Sequence, residues 1–176
     1  MKSFLFLLTL FVYSQPIKSK DAYNEYVCFQ RGNALCPNDH NYQIFYESQQ
    51  LENYLLNNIN NHDTTFTIFV ANTKQDIVFL NCSLMPSNLN ISGYIDSYAY
   101  IDFKYGYNSD GSKREQSVNV ENLKVKSVRS ETKKDQNKLK AMFLNLNNVN
   151  FINEEPLKID AKEIQVTFNS LRNVAG

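Results

Sequence analysis

The chain has 176 residues, enough for one domain of ordinary size, and its 18 basic residues balance its 18 acidic residues. A net charge of zero gives no electrostatic reason to expect a nucleic acid or an anionic membrane surface as a partner. Asparagine is abundant, while glycine occurs 5 times and tryptophan is absent. This composition reflects either an AT-rich genome or many turns that need a residue tolerant of the left-handed conformation.

The N-terminus carries the pattern of a secretory signal peptide, which we assign to residues 1–14. The apolar run Phe4–Tyr13 follows a basic residue and is too short to span a bilayer. Val12 and Ser14 are small enough to precede a cleavage site after Ser14. The alternative is a buried N-terminal strand or helix. Because no second apolar run of spanning length follows, we expect a secreted or extracellular-surface protein without membrane insertion after cleavage.

Secretion would place the cysteines in an oxidising compartment, where disulfides form. Residues 15–47 are expected to be an irregular N-terminal cap segment, in which a Cys28–Cys36 bond would contribute about 2.5 kcal/mol. The segment either shields one end of the core or presents an exposed aromatic loop. Cys82 is then either a small buried hydrophobic residue or the partner of an early cysteine or of another chain. Three cysteines and two distant histidines have no ligand spacing, so no metal and no other cofactor is expected.

Two N-x-[ST] sequences predict N-glycosylation at Asn81 and Asn90. The motif is short, so it also occurs by chance. Asn81 follows an apolar strand closely, which makes Asn90 the better acceptor.

A short amphipathic helix is predicted to begin at Ser48, which is a good N-cap. Leu51 and Leu55 recur at helical spacing, and the asparagines that follow are poor inside a helix but good at its C-terminal turn. Alternating branched and aromatic residues then predict a strand at Thr65–Val70.

The rest of the chain is predicted to form β segments without a second helix. Asn108–Gly111 contains Asp-Gly, a strong hairpin or loop signal, and the polar stretch Arg129–Lys138 predicts a protruding loop. The predicted β segments are Asp76–Asn81, Leu89–Tyr94, Ser97–Tyr107, Val118–Val128, Leu139–Asn153 and Leu157–Asn169.

Four of the β runs share a sequence pattern. Asp76–Asn81 and Asn148–Asn153 both read polar, apolar, any, Phe, apolar, Asn, and Asn122–Val125 and Glu163–Val166 contain its alternating core. In chain order, the interval from the Asp76 run to the Asn122 run is near the length of two turns of a solenoid. The interval from the Asn122 run to the Asn148 run is near the length of one turn. The last interval is too short for a turn and places the final run on another face. The alternative is chance similarity among strands of an asparagine-rich chain.

With these runs, residues 48–169 resemble the single-stranded right-handed parallel β-helix, or pectin-lyase-like, superfamily, in its noncatalytic, adhesin-like secreted and surface members. The resemblance rests on S-x-x-L-x-x-x-L at Ser48–Leu55, the turn Asn60–Asp63, the T-x-T-I strand Thr65–Val70 and the Asn148–Asn153 run.

The resemblance implies a mostly β solenoid over residues 48–176, with the helix as N-terminal cap and asparagines stacked as an amide ladder at the turns. No amphipathic closing helix follows the last strand, so either the natural chain is longer, or Leu171–Gly176 cap the solenoid poorly, or the fold is a different one. The alternative fold is an antiparallel β-sandwich, in which Asn108–Gly111 is a hairpin turn and Phe103 pairs with residues near Val118.

Catalytic members of the superfamily act on acidic polysaccharides through clustered acidic residues or grouped aspartates. Asp96 and Asp102 lie in the β region but form no adjacent pair. His40 and His62 lie in polar turns, and the chain has no nucleophile elbow and no phosphate-binding loop. We therefore assign no catalytic residue.

One aromatic-rich region supplies the candidate binding residues, which are Tyr98, Tyr100, Phe103, Tyr105 and Tyr107. Tyrosine rows stack on sugar rings or anchor interfaces, and alternation puts the first two on one strand face and the other three on another. The alternative is core packing with hydroxyls at the surface. The basic stretch Lys124–Lys140 is either a patch for an acidic glycan or a solvated loop.

The combined features predict a non-enzymatic secreted or cell-surface module for adhesion or for recognition of an extracellular glycan or protein. The alternatives are a glycan-active β-helix enzyme, lyase or hydrolase, and a β-sandwich interaction domain. Release of oligosaccharide from uronate polymers would identify the enzyme, and antiparallel strand pairing would identify the sandwich.

Overall fold

The computed structural model describes residues 23–73, 77–127, 138–152 and 158–167. The predicted signal peptide and nearly all of the predicted Arg129–Lys138 loop lie outside these ranges. Within them the chain is mostly β, with one α-helix, α1 (Ser48–Asn57), and a 3₁₀ turn at Cys82–Leu84. The strands are β1 (Tyr23–Gln30), β2 (Gln43–Phe45), β3 (Thr64–Ala71), β4 (Val78–Asn81), β5 (Asn88–Gly93), β6 (Tyr98–Asp102), β7 (Ser117–Ser127), β8 (Lys138–Phe151) and β9 (Lys158–Thr167).

These nine strands form one large sheet, and every pairing between them is parallel. The pairings make two ladders that share β7 and β8. Ladder A runs in the order β2, β1, β3, β5, β7, β8, β9 and uses residues 117–121 of β7 and 138–147 of β8. Ladder B runs in the order β4, β6, β7, β8 and uses residues 123–127 of β7 and 149–151 of β8. This arrangement is compatible with a β-helix.

The repeated runs of the sequence are placed by these ladders. Leu123 of β7 pairs with Val149 of β8 in ladder B, which confirms the interval between the second and third runs as one step between neighbouring strands. The run that ends at Asn81 contains β4, at the outer edge of the same ladder. Its predicted alignment with the Asn148–Asn153 run is wrong by one residue, because Val78 aligns with Phe151 through Ala99 and Val125. Phe79 therefore lies on the outer side, whereas its predicted counterpart Phe151 is buried. Ile164 instead pairs with Leu144 in ladder A, so the short last interval does place the final run on another ladder.

The change from ladder A to ladder B occurs at two asparagines with left-handed backbones. Asn122 has φ 52° and Asn148 has φ 51°, a conformation that costs most side-chain-bearing residues about 1–2 kcal/mol but that asparagine tolerates. Nδ2 of Asn148 donates a hydrogen bond to Oδ1 of Asn122 at 2.9 Å. The predicted amide ladder at the turns is therefore confirmed for this pair.

The core consists of inward-facing rows that cross the strands. In ladder A, Phe66, Leu89, Val118 and Leu144 lie opposite one another and are buried. Ladder B has an equivalent buried row, made of Val78, Ala99, Val125 and Phe151. Burial of a large apolar side chain stabilises the fold by about 1.5–3 kcal/mol. Because the neighbouring strands cover each inward side chain, the rows stabilise the paired strands together and not one at a time.

Helix α1 lies against β2 and β4 and buries Leu51 and Leu55. The prediction of an irregular segment over residues 15–47 is wrong for β1 and β2, which precede α1 and pair within ladder A. The predicted N-cap is wrong by one residue, because Glu47 occupies that position and makes no side-chain cap. Ser48 has another role: its Oγ accepts the Phe79 backbone N–H at 3.2 Å. The hydroxyl thus satisfies a donor on β4, an edge strand, instead of one in its own helix.

The antiparallel sandwich is wrong. Val118 pairs in parallel with Leu89 and Leu144, and Phe103 lies outside the strands. The predicted strand Ser97–Tyr107 ends at Asp102, and the segment beyond it contains a local antiparallel bridge between Tyr107 and Lys113. The predicted Asp-Gly turn is therefore a small hairpin on the side of a parallel sheet.

The corner asparagines predict a graded loss of stability. Asn122→Ala should lower the free energy of unfolding by about 2 kcal/mol, because alanine is strained at this φ and Asn148 loses its acceptor. Asn122→Gly removes the same hydrogen bond without backbone strain, so its loss should be about 1 kcal/mol. Urea unfolding of both variants measures the difference, and equal losses would contradict the role given to the left-handed backbone.

Candidate functional site

Two tyrosines and two lysines lie side by side on the outer surface of ladder B. Tyr98 pairs in register with Lys124, and Tyr100 pairs with Lys126. The intervening residues point inward and are buried, so alternation turns these four side chains outward. We call Tyr98, Tyr100, Lys124 and Lys126 the tyrosine–lysine face.

Cation–π contacts join the members of this face. The Lys124 Nζ lies 5.2 Å from the centroid of the Tyr98 ring, and the Lys126 Nζ lies 5.6 Å from the centroid of Tyr100. Such contacts contribute about 0.5–1 kcal/mol at exposed sites. The face therefore presents aromatic surface and ammonium groups at fixed separations.

The two lysines differ in their charge partners. Lys124 donates a hydrogen bond to Asp96 Oδ1 at 2.5 Å, and this bond raises the pKa of Lys124. Within the part of the chain that the structure describes, Lys126 forms no ion pair and contacts the Tyr100 ring. Lys126 is therefore the more available cation for an anionic ligand.

Phe79 extends the face to the edge of the sheet. It pairs in register with Tyr100 and is 36% exposed, although it belongs to the short edge strand β4. A row of Phe79, Tyr100 and Lys126 thus crosses three strands, with neighbours about 4.8 Å apart. Sequence reasoning missed Phe79. The sequence does contain a signal that predicts the pairing of the tyrosines with the lysines. Tyr100 and Lys126 are separated by the same number of residues as the second and third repeated runs, and residues at this interval lie side by side on neighbouring strands.

The other three predicted binding residues do not join Tyr98 and Tyr100. Phe103 is buried in the core, which corrects its prediction as a residue that contacts an outside ligand. Tyr105 is also buried, and its hydroxyl donates to the backbone oxygen of Asp160 at 2.8 Å. Tyr107 is 60% exposed but lies on the separate hairpin. Core packing, the alternative interpretation, describes Phe103 and the ring of Tyr105.

The candidate acidic residues are each bound to a lysine. Asp102 is buried and forms an ion pair with Lys104 at 2.6 Å, while Asp96 is exposed and bonded to Lys124. No group of three or more His, Cys, Asp or Glu side chains in the described ranges has a geometry that could hold a metal ion.

The predicted Cys28–Cys36 disulfide is confirmed, with the two Cα atoms 6.1 Å apart. The loop it closes lies near the outer side of ladder A, where the Tyr94 hydroxyl donates to the backbone oxygen of Leu35 at 2.9 Å. Ring contacts connect this region, including the stacked pair of Tyr26 and His40 with centroids 4.0 Å apart. The full set of rings in contact is Tyr26, His40, Tyr42, Phe69 and Tyr94.

Both predicted glycosylation sites have defined surroundings. Oδ1 of Asn81 accepts hydrogen bonds from the backbone N–H and the hydroxyl of Ser83, at 3.1 and 2.8 Å. Asn90 lies on the outer side of β5, where its Oδ1 accepts from Nδ2 of Asn119 at 2.8 Å. Both side chains are partly exposed, and their use as acceptors stays a prediction.

Comparison of the chain with profiles of known protein families, with curated proteins and with solved structures finds no match. In the described ranges, α1 and the other helical residues include no segment long and apolar enough to cross a bilayer.

Cys82 is unpaired and buried, which matches its interpretation as a small hydrophobic residue. Burial raises the pKa of its thiol to about 12, because an apolar environment disfavours the thiolate. Native protein at pH 8 should therefore react with iodoacetamide on the order of a thousandfold more slowly than the unfolded chain. Mass spectrometry with and without guanidinium measures both rates, and rapid labelling of the native protein would contradict the burial.

Proposed function

We propose that the protein is a non-enzymatic secreted or cell-surface recognition module, and that its tyrosine–lysine face binds an acidic glycan. The observation that carries the proposal is the in-register pairing of Tyr98 with Lys124 and of Tyr100 with Lys126 on one outer surface. Tyrosine rings stack on sugar rings, and ammonium groups attract carboxylate or sulfate groups.

The scaffold we propose is a right-handed parallel β-helix with α1 as its N-terminal cap. Three features support it: the parallel register across two ladders, the inward rows that cross successive strands, and the left-handed corners at Asn122 and Asn148. Such a scaffold presents a long, regular outer face, which suits a polymer better than a compact small molecule.

Secretion is supported by the N-terminal apolar run and by the disulfide between Cys28 and Cys36. Structural disulfides persist in oxidising compartments and are rare in the cytosol. The motifs at Asn81 and Asn90 would be glycosylated on the same route in a eukaryote.

An acidic glycan fits the face better than a neutral one does. Lys126 forms no ion pair within the described residues, and the nearby Tyr100 and Phe79 provide apolar area for a pyranose ring. Each contact contributes little at an exposed surface, so affinity would arise from several sugars along the face. The same cation makes the binding weaken as salt rises.

Binding to immobilised polygalacturonate tests this proposal. Tyr100→Ala and Lys126→Gln should each weaken binding about tenfold, since each removes an anchor of the face. Two matched controls remove the same side-chain types elsewhere: Tyr107→Ala on the hairpin and Lys158→Gln on β9 should change affinity less than about twofold. Lys126→Gln should also reduce the salt dependence of binding.

Three results would contradict the proposal. Equal binding by all four variants would remove the tyrosine–lysine face as the site. Equal binding to a neutral galactan would remove the requirement for acid groups. Release of unsaturated or reducing oligosaccharides from the polymer would identify a glycan-active enzyme instead of a recognition module.

Glycosylation is tested separately, by expression in a eukaryotic secretory host. Treatment with an N-glycosidase should lower the mass of the secreted protein, and Asn90→Gln should remove most of that change. No mass change in the wild-type protein would show that neither Asn81 nor Asn90 is used.

A further inference from the structure

A groove with a volume of about 550 Å³ opens next to the first residues of β5 and β7. Asn88 and Ser117 form part of its wall and are register partners in ladder A. The volume is in the range of sites for small molecules. No residue of the tyrosine–lysine face lines it, so the groove is a separate feature of the molecule.

The wall of the groove is polar and internally connected. Nδ1 of His62 lies 3.0 Å from Oγ of Ser87, and Nδ2 of Asn88 donates to the backbone oxygen of His62 at 3.0 Å. Asn108 reaches the groove from the hairpin, where its Nδ2 donates to Oγ of Ser112 at 3.0 Å. These hydrogen bonds fix the positions of the amide, hydroxyl and imidazole groups that line the groove.

Arg114 lines the groove although it is buried, with a relative exposure of 5%. Its Nη2 donates to the backbone oxygens of Met85 at 2.6 Å and of Ser83 at 3.2 Å, while its buried Nε has no hydrogen-bond partner. No carboxylate of the described ranges forms an ion pair with this guanidinium. Burial lowers the pKa of Arg114, as expected for a cation that lacks an anionic partner.

Gly106 leaves the space that the guanidinium occupies. A Cβ at this position would lie 2.5 Å from Nη2 of Arg114 and 2.8 Å from its Nε, so the guanidinium would have to shift. The absence of a side chain at Gly106 therefore gives Arg114 its present position at the groove.

A second cation adjoins Arg114. The Lys113 Nζ lies 3.8 Å from the centroid of the Tyr105 ring, and its side chain lines the groove and is exposed. Glu115 is the one acidic residue among those that line the groove, against two permanent cations. The groove is thus lined by two cations and one carboxylate, and the buried Arg114 guanidinium has no anionic partner among the described residues.

We propose that the groove binds a small sugar acid or sugar phosphate, with its anionic group at Lys113 and Arg114. Ser87, Asn88 and Asn108 would hydrogen-bond the hydroxyls, and Phe143, which also lines the groove, would contact the ring face. This site shares no residue with the acidic-glycan face, so either can fail without the other.

Isothermal titration of the full-length protein with galacturonate, glucose 6-phosphate and neutral galactose tests the proposal. Galacturonate or glucose 6-phosphate should bind, and the tighter of the two identifies a carboxylate or a phosphate as the anion. Lys113→Gln should weaken that binding about tenfold, because it removes a charge-assisted contact. Lys158→Gln removes an exposed lysine elsewhere and should leave affinity within about twofold.

Lys113 is the chosen variant because it is exposed and its loss should leave the fold intact, as thermal unfolding of the variant verifies. Arg114→Gln also removes the donor to Met85 and Ser83, so its effect would combine binding with stability. Equal affinity for galactose, unchanged affinity in Lys113→Gln, or no binding of either anionic probe would overturn the proposal.

Discussion

The structure depends on one constraint, the in-register stacking of inward side chains between parallel strands. A strand of this sheet cannot bury its own apolar residues, and each row is covered only when the next strand repeats it at the same position. Phe66, Leu89, Val118 and Leu144 form such a row in ladder A. A slip of one residue would turn the whole row toward water, so the register is fixed by the core.

The same register creates the outer surface. Because side chains alternate, the strands that bury Ala99 and Val125 must turn Tyr98, Tyr100 and Lys124 outward. The edge strands β4 and β9 differ in how their unpaired backbone groups are satisfied. Ser48 of α1 accepts a donor of the edge strand β4. In contrast, β9 has no second partner among the described strands and carries charged residues in its first six positions, which are Lys158, Asp160, Lys162 and Glu163.

Local patterns in the sequence predicted the elements that depend on short-range physics. The helix after Ser48, the strand at Thr65–Val70 and the Cys28–Cys36 bond all follow from spacing within a short stretch of chain. The interval between the runs at Asn122 and Asn148 also predicted the pairing of β7 with β8, because strands of one ladder must repeat their inward residues.

Features that depend on where the chain turns were not predictable in this way. Phe103 and Tyr105 continue the inward alternation of Ala99 and Ile101, so their burial agrees with the predicted separation of the two faces. The end of the strand at Asp102 and the position of Tyr107 on a separate hairpin were not predicted. The groove around Arg114 joins segments that lie far apart in the sequence, and no local motif marks it. The cost of burying that charge becomes visible only when its neighbours are known.

Disulfide trapping between β7 and its neighbours tests the parallel register most directly. Asn119 and Asn145 are register partners in β7 and β8, and Cα atoms of adjacent strands are about 5 Å apart, within reach of a disulfide. Gln165 lies opposite Asn145 in β9, so it is two strands and about 10 Å from Asn119. The double variant Asn119→Cys with Asn145→Cys should form the bond under mild oxidation, whereas Asn119→Cys with Gln165→Cys should not. Bond formation in the second pair, or its absence from a folded first pair, would contradict the register on which the structure depends.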